Sequence, residues 1–296
     1  MAGSSMRSFA VTNLKGGVGK TTTTLALGGL LQARGFKVLL LDLDPQASLT
    51  SAVGLSAESS LPGVHSVFAG QAELGNCISH TMGLDVVGTA AALARAERMP
   101  ERPDGLGGVL SAALKTIAHR YHYVLIDCPP SLGVLLINAL AAADRLIVPV
   151  QCSHLALIGI ERMDATLKMI ARSRNGRAPP RIIVPTMVDL RTRAAHAALA
   201  RLRAQWPTEL WRSLVPEDTS LRDAARFGRL PHQHAPRSRA MLAYAQLLAD
   251  VLGETGAYSA AVSTSASSNG IPLNATPLAG LMGSVTELPR TIPFAR

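Results

Sequence analysis

The feature that most constrains this chain is the stretch Asn13–Thr24, NLKGGVGKTTTT. A short apolar run, Phe9–Ala10–Val11, precedes it, and an apolar-periodic segment from Leu25 to Leu31 follows. That order predicts a strand, a glycine-rich turn and a helix over Thr21–Ala33, with Gly35 as the residue that ends the helix. Such a turn offers backbone N–H groups from Gly16, Gly17, Val18 and Gly19 to phosphate oxygens, and the following helix points the positive end of its dipole at the same anion. Lys20 supplies a cation for the β- and γ-phosphates. Thr21 supplies a hydroxyl for Mg²⁺, and Thr22 extends the phosphate-facing turn.

Other segments converge on the same place. Lys37–Leu43, KVLLLDL, reads as a buried parallel strand that runs into Asp42–Leu43–Asp44–Pro45–Gln46. Tyr123–Asp127, YVLID, is a second apolar strand ending in aspartate, followed by Cys128–Pro129–Pro130. Carboxylates at the carboxyl ends of strands sit where doubly wound sheets bind ligands. Asp42 and Asp44, two residues apart, are expected to point the same way. Further strands are expected at Leu146–Val150, Arg181–Pro185 and Trp211–Val215. Helices are expected at Gly107–His119, Leu132–Ala142, Gly159–Ser173, Thr192–Gln205 and Pro236–Gly253. Alternating apolar strands and helices predict an α/β fold, a mostly parallel twisted sheet covered by helices on both faces.

The residues suggest a division of labour, since phosphoryl transfer is mostly positioning and charge stabilisation. Lys20 neutralises charge on the β–γ bridge, Thr21 ligates Mg²⁺, and Asp127 holds it through a water. Asp44 positions or deprotonates the attacking water. Asp42 is the alternative for that water, or a further ligand of Mg²⁺ through water. Capping of the turn before Pro129 is the plain alternative for Asp127, and a solvated charge for Lys15.

The turn departs from the usual G-x-x-x-x-G-K-[ST] spacing: the first glycine position is Leu14, and Lys15 stands beside Gly16 and Gly17. This resembles the deviant Walker A motif of the ParA/MinD superfamily. LLDLDPQAS (Leu40–Ser48) and YVLIDCPPSLG (Tyr123–Gly133) are similar to that family's switch I and switch II. The likeness continues through NALAAADRLIVPVQC (Asn138–Cys152), PTMVDLRTRAA (Pro185–Ala195) and FGRLPHQHAPRSRAMLAY (Phe227–Tyr244). The resemblance covers residues 7–253. It implies a P-loop ATPase that uses ATP and Mg²⁺ and forms a homodimer on binding ATP, with Lys15 reaching the partner's γ-phosphate. It also implies non-specific binding to double-stranded DNA, a ParB-like or adaptor protein that stimulates hydrolysis, and a cytoplasmic, nucleoid-associated place of work. Pro216–Ala224 matches the family's P-R-N-V-R-L-x-E-A segment beside the nucleotide base, which makes Pro216 and Asp218 candidate base contacts. Both arginines of that pattern are replaced here. Gly159–Met163 and Val215–Ala225 look closer to a ParC-like branch that positions chemoreceptor arrays.

Charge and composition limit the rival readings. The formal net charge is +9, which suits a polyanionic partner. Between residues 190 and 240, ten arginines stand against four acids. Arg191, Arg193, Arg222, Arg226 and Arg229 are the candidate DNA contacts. No recognition-helix motif or aromatic platform is evident beside them, which suits phosphate contact without base readout. Cys77, Cys128 and Cys152 are odd in number and far apart, with neither a disulfide framework nor a zinc spacing. They also lack the setting needed for a cluster of the nitrogenase iron-protein type. No apolar run is long enough to span a membrane, and no signal segment or basic amphipathic helix at the end supports a MinD-like membrane ATPase. A metabolic P-loop enzyme would need a substrate lid, for which no signature is found. Residues 1–254 are expected to form one domain. Residues 255–296, rich in Ala, Ser, Thr, Asn and Pro, are expected to form a disordered tail.

Overall fold

The structure, a computed structural model, describes residues 6–57, 61–98, 108–152, 154–173 and 178–253. The segment assigned above as a tail lies outside them. The elements in order are β1 (Arg7–Val11), α1 (Lys20–Ala33), β2 (Val38–Asp42), α2 (Ser48–Ala52), α3 (Val64–Phe68), β3 (Ser79–Thr81), β4 (Leu84–Val87), α4 (Val109–Ile117), β5 (Tyr123–Asp127), α5 (Val134–Ala142), β6 (Arg145–Gln151), α6 (His154–Ser173), β7 (Arg181–Thr186), α7 (Arg193–Gln205), α8 (Ser220–Arg226), α9 (Pro231–His234) and α10 (Arg239–Leu252). The chain divides into Met1–Leu248 and Ala249–Arg296; of the second unit, the end of α10 is described.

The strands form one sheet in the order β3-β4-β2-β5-β1-β6-β7. All pairs are parallel except the β3–β4 hairpin at the edge. Parallel strands are covered on both faces, so they read as continuous apolar runs. In β2 every residue is buried, and in β5 all but Tyr123. Each fully buried Leu, Ile or Val contributes about 1.5–3 kcal/mol. From β1 the chain crosses to β2 on one side, whereas from β5 it crosses past β1 to β6 on the other. Right-handed crossovers in opposite directions put α1 and α5 on opposite faces, and the switch between them opens a crevice at the carboxyl ends of β1, β2 and β5.

Local chemistry explains the boundaries. Gly35, at φ 81°, ends α1: its N–H and that of Phe36 reach back to the carbonyls of Gln32 and Leu31, the paired bonds of a Schellman motif. α1 carries adjacent glycines where it meets its neighbours. A Cβ on Gly28 would lie 2.7 Å from Leu40 of β2, and one on Gly29 would lie 2.3 Å from Nδ1 of His232 in α9. α5 is apolar apart from Asn138, whose buried side chain accepts the Leu110 N–H of α4 and donates to the carbonyl of Val134. Pro149 is tolerated inside β6 because β1 has already ended, Val11 pairing with Ile147. The Pro149 carbonyl is taken by the side chain of Asn13 at 2.8 Å.

One expected element needs correction. Trp211–Val215 is not a strand: only isolated bridges, Ile183–Leu210 and Val188–Pro216, tie this stretch to the neighbourhood of β7, because the chain bends at Arg212–Ser213. β4 lies inside the sheet, between β3 and β2. The short helices α2, α3, α8 and α9 were not expected at all.

Candidate functional site

The turn between β1 and α1 is built to hold its shape while leaving its concave side open. Asn13, buried, anchors it: besides binding Pro149, its Oδ1 accepts the backbone N–H of Lys15 at 2.9 Å. Gly17 at φ 71° and Gly19 at φ 90° adopt left-handed conformations that favour glycine. A Cβ on Gly16 or Gly17 would meet nothing within 4 Å, so a ligand can approach the backbone there. From β7, Thr186 donates its hydroxyl to the Val18 carbonyl at 2.8 Å, tying the turn to a third strand.

Lys20 begins α1 and is buried, its ammonium donating to the Lys15 carbonyl at 3.1 Å. Burial pulls its pKa down, and the nearby charges of Asp127 and Asp44 oppose that shift. Thr21 donates its hydroxyl to Oδ2 of Asp127 at 2.7 Å, and Thr24 approaches the other oxygen at 3.5 Å. Asp127 is buried, and its carboxyl is pushed up to about 8, first by burial and then by the charge of Asp42. The two aspartates face each other in register across β2 and β5.

Asp42 and Asp44 sit in different surroundings. β2 ends at Asp42, so the alternation of a strand does not carry on to Asp44. Asp42 is fully buried and turns inward. It accepts the Thr50 N–H at 2.8 Å, the Thr50 hydroxyl at 2.6 Å and the Asp44 N–H at 3.1 Å. Its carboxyl rises to about 6, burial outweighing those hydrogen bonds. These bonds tie the end of β2 to Thr50 of α2, while the Asp42 charge still acts on Asp127 beside it. Asp44 is half-buried on the turn beyond and accepts the N–H of Gln46 at 3.0 Å.

Lys15 lies against its own chain, its ammonium donating to Oε1 of Gln151 at 3.3 Å. Gln151 ends β6 and had not been singled out, although a polar residue closing the run LIVPV carries the same signal that marked Asp42 and Asp127. Beside the turn lies a cavity of about 200 Å³, lined by Gly19, Thr22, Met187, Pro216, Asp218 and Tyr244 among others. The expected base contacts Pro216 and Asp218 both line it. One oxygen of Asp218 is engaged by the N–H and hydroxyl of Ser220 at 3.0 and 2.6 Å. A larger cavity, about 800 Å³, lies at the amino-terminal edge of the sheet around Lys37, Leu114 and His122 and holds none of these residues. Chemistry, not size, picks out the crevice.

The candidate DNA contacts Arg191, Arg193, Arg222, Arg226 and Arg229 are all exposed. Arg191 forks onto Asp189 at 2.8 and 2.9 Å. Arg222 and Arg226 make looser pairs with Glu217 at 3.9 Å and Asp223 at 3.6 Å. Solvent-exposed pairs of this kind contribute little and exchange readily for another anion.

The family model described as an AAA domain matches residues 6–178. The chain is 36% identical over 254 residues to the chromosome-partitioning ATPase Soj of Thermus thermophilus, covering 83% of this chain and 96% of that one. It is 34% identical over 245 residues to the sporulation initiation inhibitor protein Soj of Bacillus subtilis, covering 82% and 97%. A solved structure of cobyrinic acid a,c-diamide synthase from Mycobacterium smegmatis, with bound ADP and magnesium, superposes with a TM-score of 0.72 at 31% identity, covering 83% and 94%. With its lysine-bearing P-loop and the aspartate-ended strands β2 and β5, the chain belongs to the ParA family of P-loop ATPases.

Proposed function

We propose that this chain is an ATP-driven switch that dimerises on ATP, holds nucleoid DNA without sequence preference, and partitions or positions a cargo. The observation that carries the ATPase chemistry is the Thr21–Asp127 hydrogen bond at 2.7 Å, which joins the P-loop to the end of β5 beside the buried Lys20. Oxygen donors of this kind suit magnesium, a hard cation. The open glycine turn and an ammonium resting on a backbone carbonyl suit a polyphosphate. Magnesium with ATP supplies charge neutralisation on the transferring phosphoryl group.

The chain's own groups divide the remaining work. Thr21 and Asp127, joined by their hydrogen bond, would hold the metal, Thr21 through its hydroxyl and Asp127 through a water. Lys20 exchanges the Lys15 carbonyl for phosphate oxygens. Asp44, at the mouth of the crevice, holds the attacking water, while Asp42 keeps the segment carrying Asp44 in place through Thr50. Lys15 serves the partner protomer. The exposed arginines from Arg191 to Arg229 take up DNA phosphates, and a ParB-like or adaptor protein triggers hydrolysis. Work in the cytoplasm on the nucleoid follows from that reading. The chromosome partitioning named for the Soj relative of Thermus thermophilus supports the cargo assignment.

Among the described residues no helix is long and apolar enough to cross a membrane. The alternative, a MinD-like ATPase attached to a membrane surface, is separated by a direct comparison. Protein with ATP and Mg²⁺ is passed over immobilised random-sequence duplex DNA and over anionic vesicles, at several salt concentrations. Retention on DNA that needs ATP and falls steeply with salt is expected. Retention on vesicles alone, or DNA binding indifferent to ATP and salt, refutes the nucleoid reading.

A further inference from the structure

Phe227 is 66% exposed, the most exposed of the large apolar side chains among the described residues. It caps the C-terminal end of α8, where its N–H reaches the carbonyls of Asp223 and Ala224, and Gly228 at φ 60° turns the chain directly after it. His234, at the end of α9, lies flat against the ring, with centroids 5.1 Å apart and planes 14° from parallel. One face of the phenyl ring is therefore backed by an imidazole while much of the side chain stands in solvent. The exposed Arg222, Arg226 and Arg229 flank it in sequence on both sides. The base of the platform is firm: two residues before His234, the buried His232 is seated against Gly29 of α1.

What sets Phe227 apart from the other exposed apolar side chains is its stacked imidazole and the three exposed arginines within five residues of it in sequence. Basic grooves that bind nucleic acid combine cations for the backbone with aromatic faces for the bases, and apolar wedges of this kind also enter unstacked base steps of duplexes. We propose that the Phe227–His234 pair is a stacking platform for an unstacked nucleobase, with Arg222, Arg226 and Arg229 holding the adjoining phosphates. The inference rests on the DNA-binding reading above and adds a chemical preference to it: DNA carrying an unpaired or flexible step binds better than a fully paired, stiff duplex. Phosphate contacts alone position the protein and give no such preference.

The test uses the full chain with ATP and Mg²⁺ and fluorescence anisotropy on three labelled DNAs: a paired duplex, the same duplex with a single unpaired base, and the single strand. Wild type should favour the last two. Phe227→Ala should weaken binding to them by about 5- to 150-fold, the range of one lost base stack, and leave the paired duplex and the salt slope nearly unchanged. Phe227→Trp should restore the preference. Because the ring is exposed, Phe227→Ala should melt like wild type, which a thermal scan checks. Equal binding of the three DNAs by wild type, or equal weakening of all three by Phe227→Ala, overturns the platform while leaving the phosphate-binding reading intact. Binding to none of them overturns both. If Phe227→Ala instead alters the ATP-dependent molar mass with DNA binding unchanged, the ring is a protein contact and the proposal fails.

Discussion

Replacing Gly29 with alanine should loosen the seat of α9 on α1 despite improving the helix. Alanine is favoured over glycine inside a helix by about 1 kcal/mol. Against this, the new Cβ would lie 2.3 Å from Nδ1 and 2.7 Å from Cε1 of His232, where ordinary contact begins near 3.4 Å. The imidazole must move by roughly 1 Å. It is buried, it is a rigid ring, and its Nδ1 has no hydrogen-bond partner to guide it to a new position. Overpacking of this kind costs about 1–3 kcal/mol, so the net loss should be about 0–2 kcal/mol. The clean measurement is a double-mutant cycle with His232→Ala, followed by urea unfolding and circular dichroism. In the His232→Ala background the clash is gone, and Gly29→Ala should stabilise by about 1 kcal/mol. The coupling should therefore be about 1–3 kcal/mol, within the range for touching residues. The reasoning is refuted if Gly29→Ala has the same effect in both backgrounds.

Lys15→Ala should bind ATP normally but lose partner-stimulated hydrolysis by about 10³-fold or more, the scale of an arginine-finger contribution; normal stimulated turnover would end its proposed role in trans. Asp44→Ala should trap an ATP-bound dimer, read as molar mass by light scattering, and a monomer in ATP would contradict the assignment of the water-holding group. The metal-free protein should become less stable as pH rises from 5.5 to 8.5. Burial raises the carboxyls of Asp42 and Asp127 to about 6 and about 8, above the unfolded value of 3.8 given for both. Their contribution is therefore full below about pH 4 and lost as pH rises through the folded values. Thermal scans of Asp127→Asn should show a flatter upper part of that curve.

Much of the fold was legible because parallel strands and their ends write plainly. VLLLD and YVLID are apolar on both faces and stop at an acid, and the glycine turn fixes a strand before it and a helix after it. The missed elements share a physical cause. α8 has only Leu221 and Ala224 buried in SLRDAAR, and α9 is four residues long; neither shows a period, and both owe their place to neighbouring elements. The different burial of Asp42 and Asp44 was not legible, because β2 stops at Asp42 and Asp44 lies on the turn beyond it. The Phe227–His234 pair was invisible because six residues, a turn among them, separate rings that meet only after α9 docks on α1.

Lys15 is held in part by its N–H on Asn13, its carbonyl under Lys20 and its ammonium on Gln151. On its proposed role, that last contact turns the resting protomer into a reluctant partner. The ammonium must leave Gln151 before it can reach a neighbour, so the apparent dimer affinity is the intrinsic one scaled by the fraction of chains already released. If the contact is worth about 1 kcal/mol, an ordinary net value for a hydrogen bond, roughly one chain in six is ready at any moment. Gln151 then acts as a brake on assembly, and its identity sets how much ATP-bound protein accumulates before dimers form.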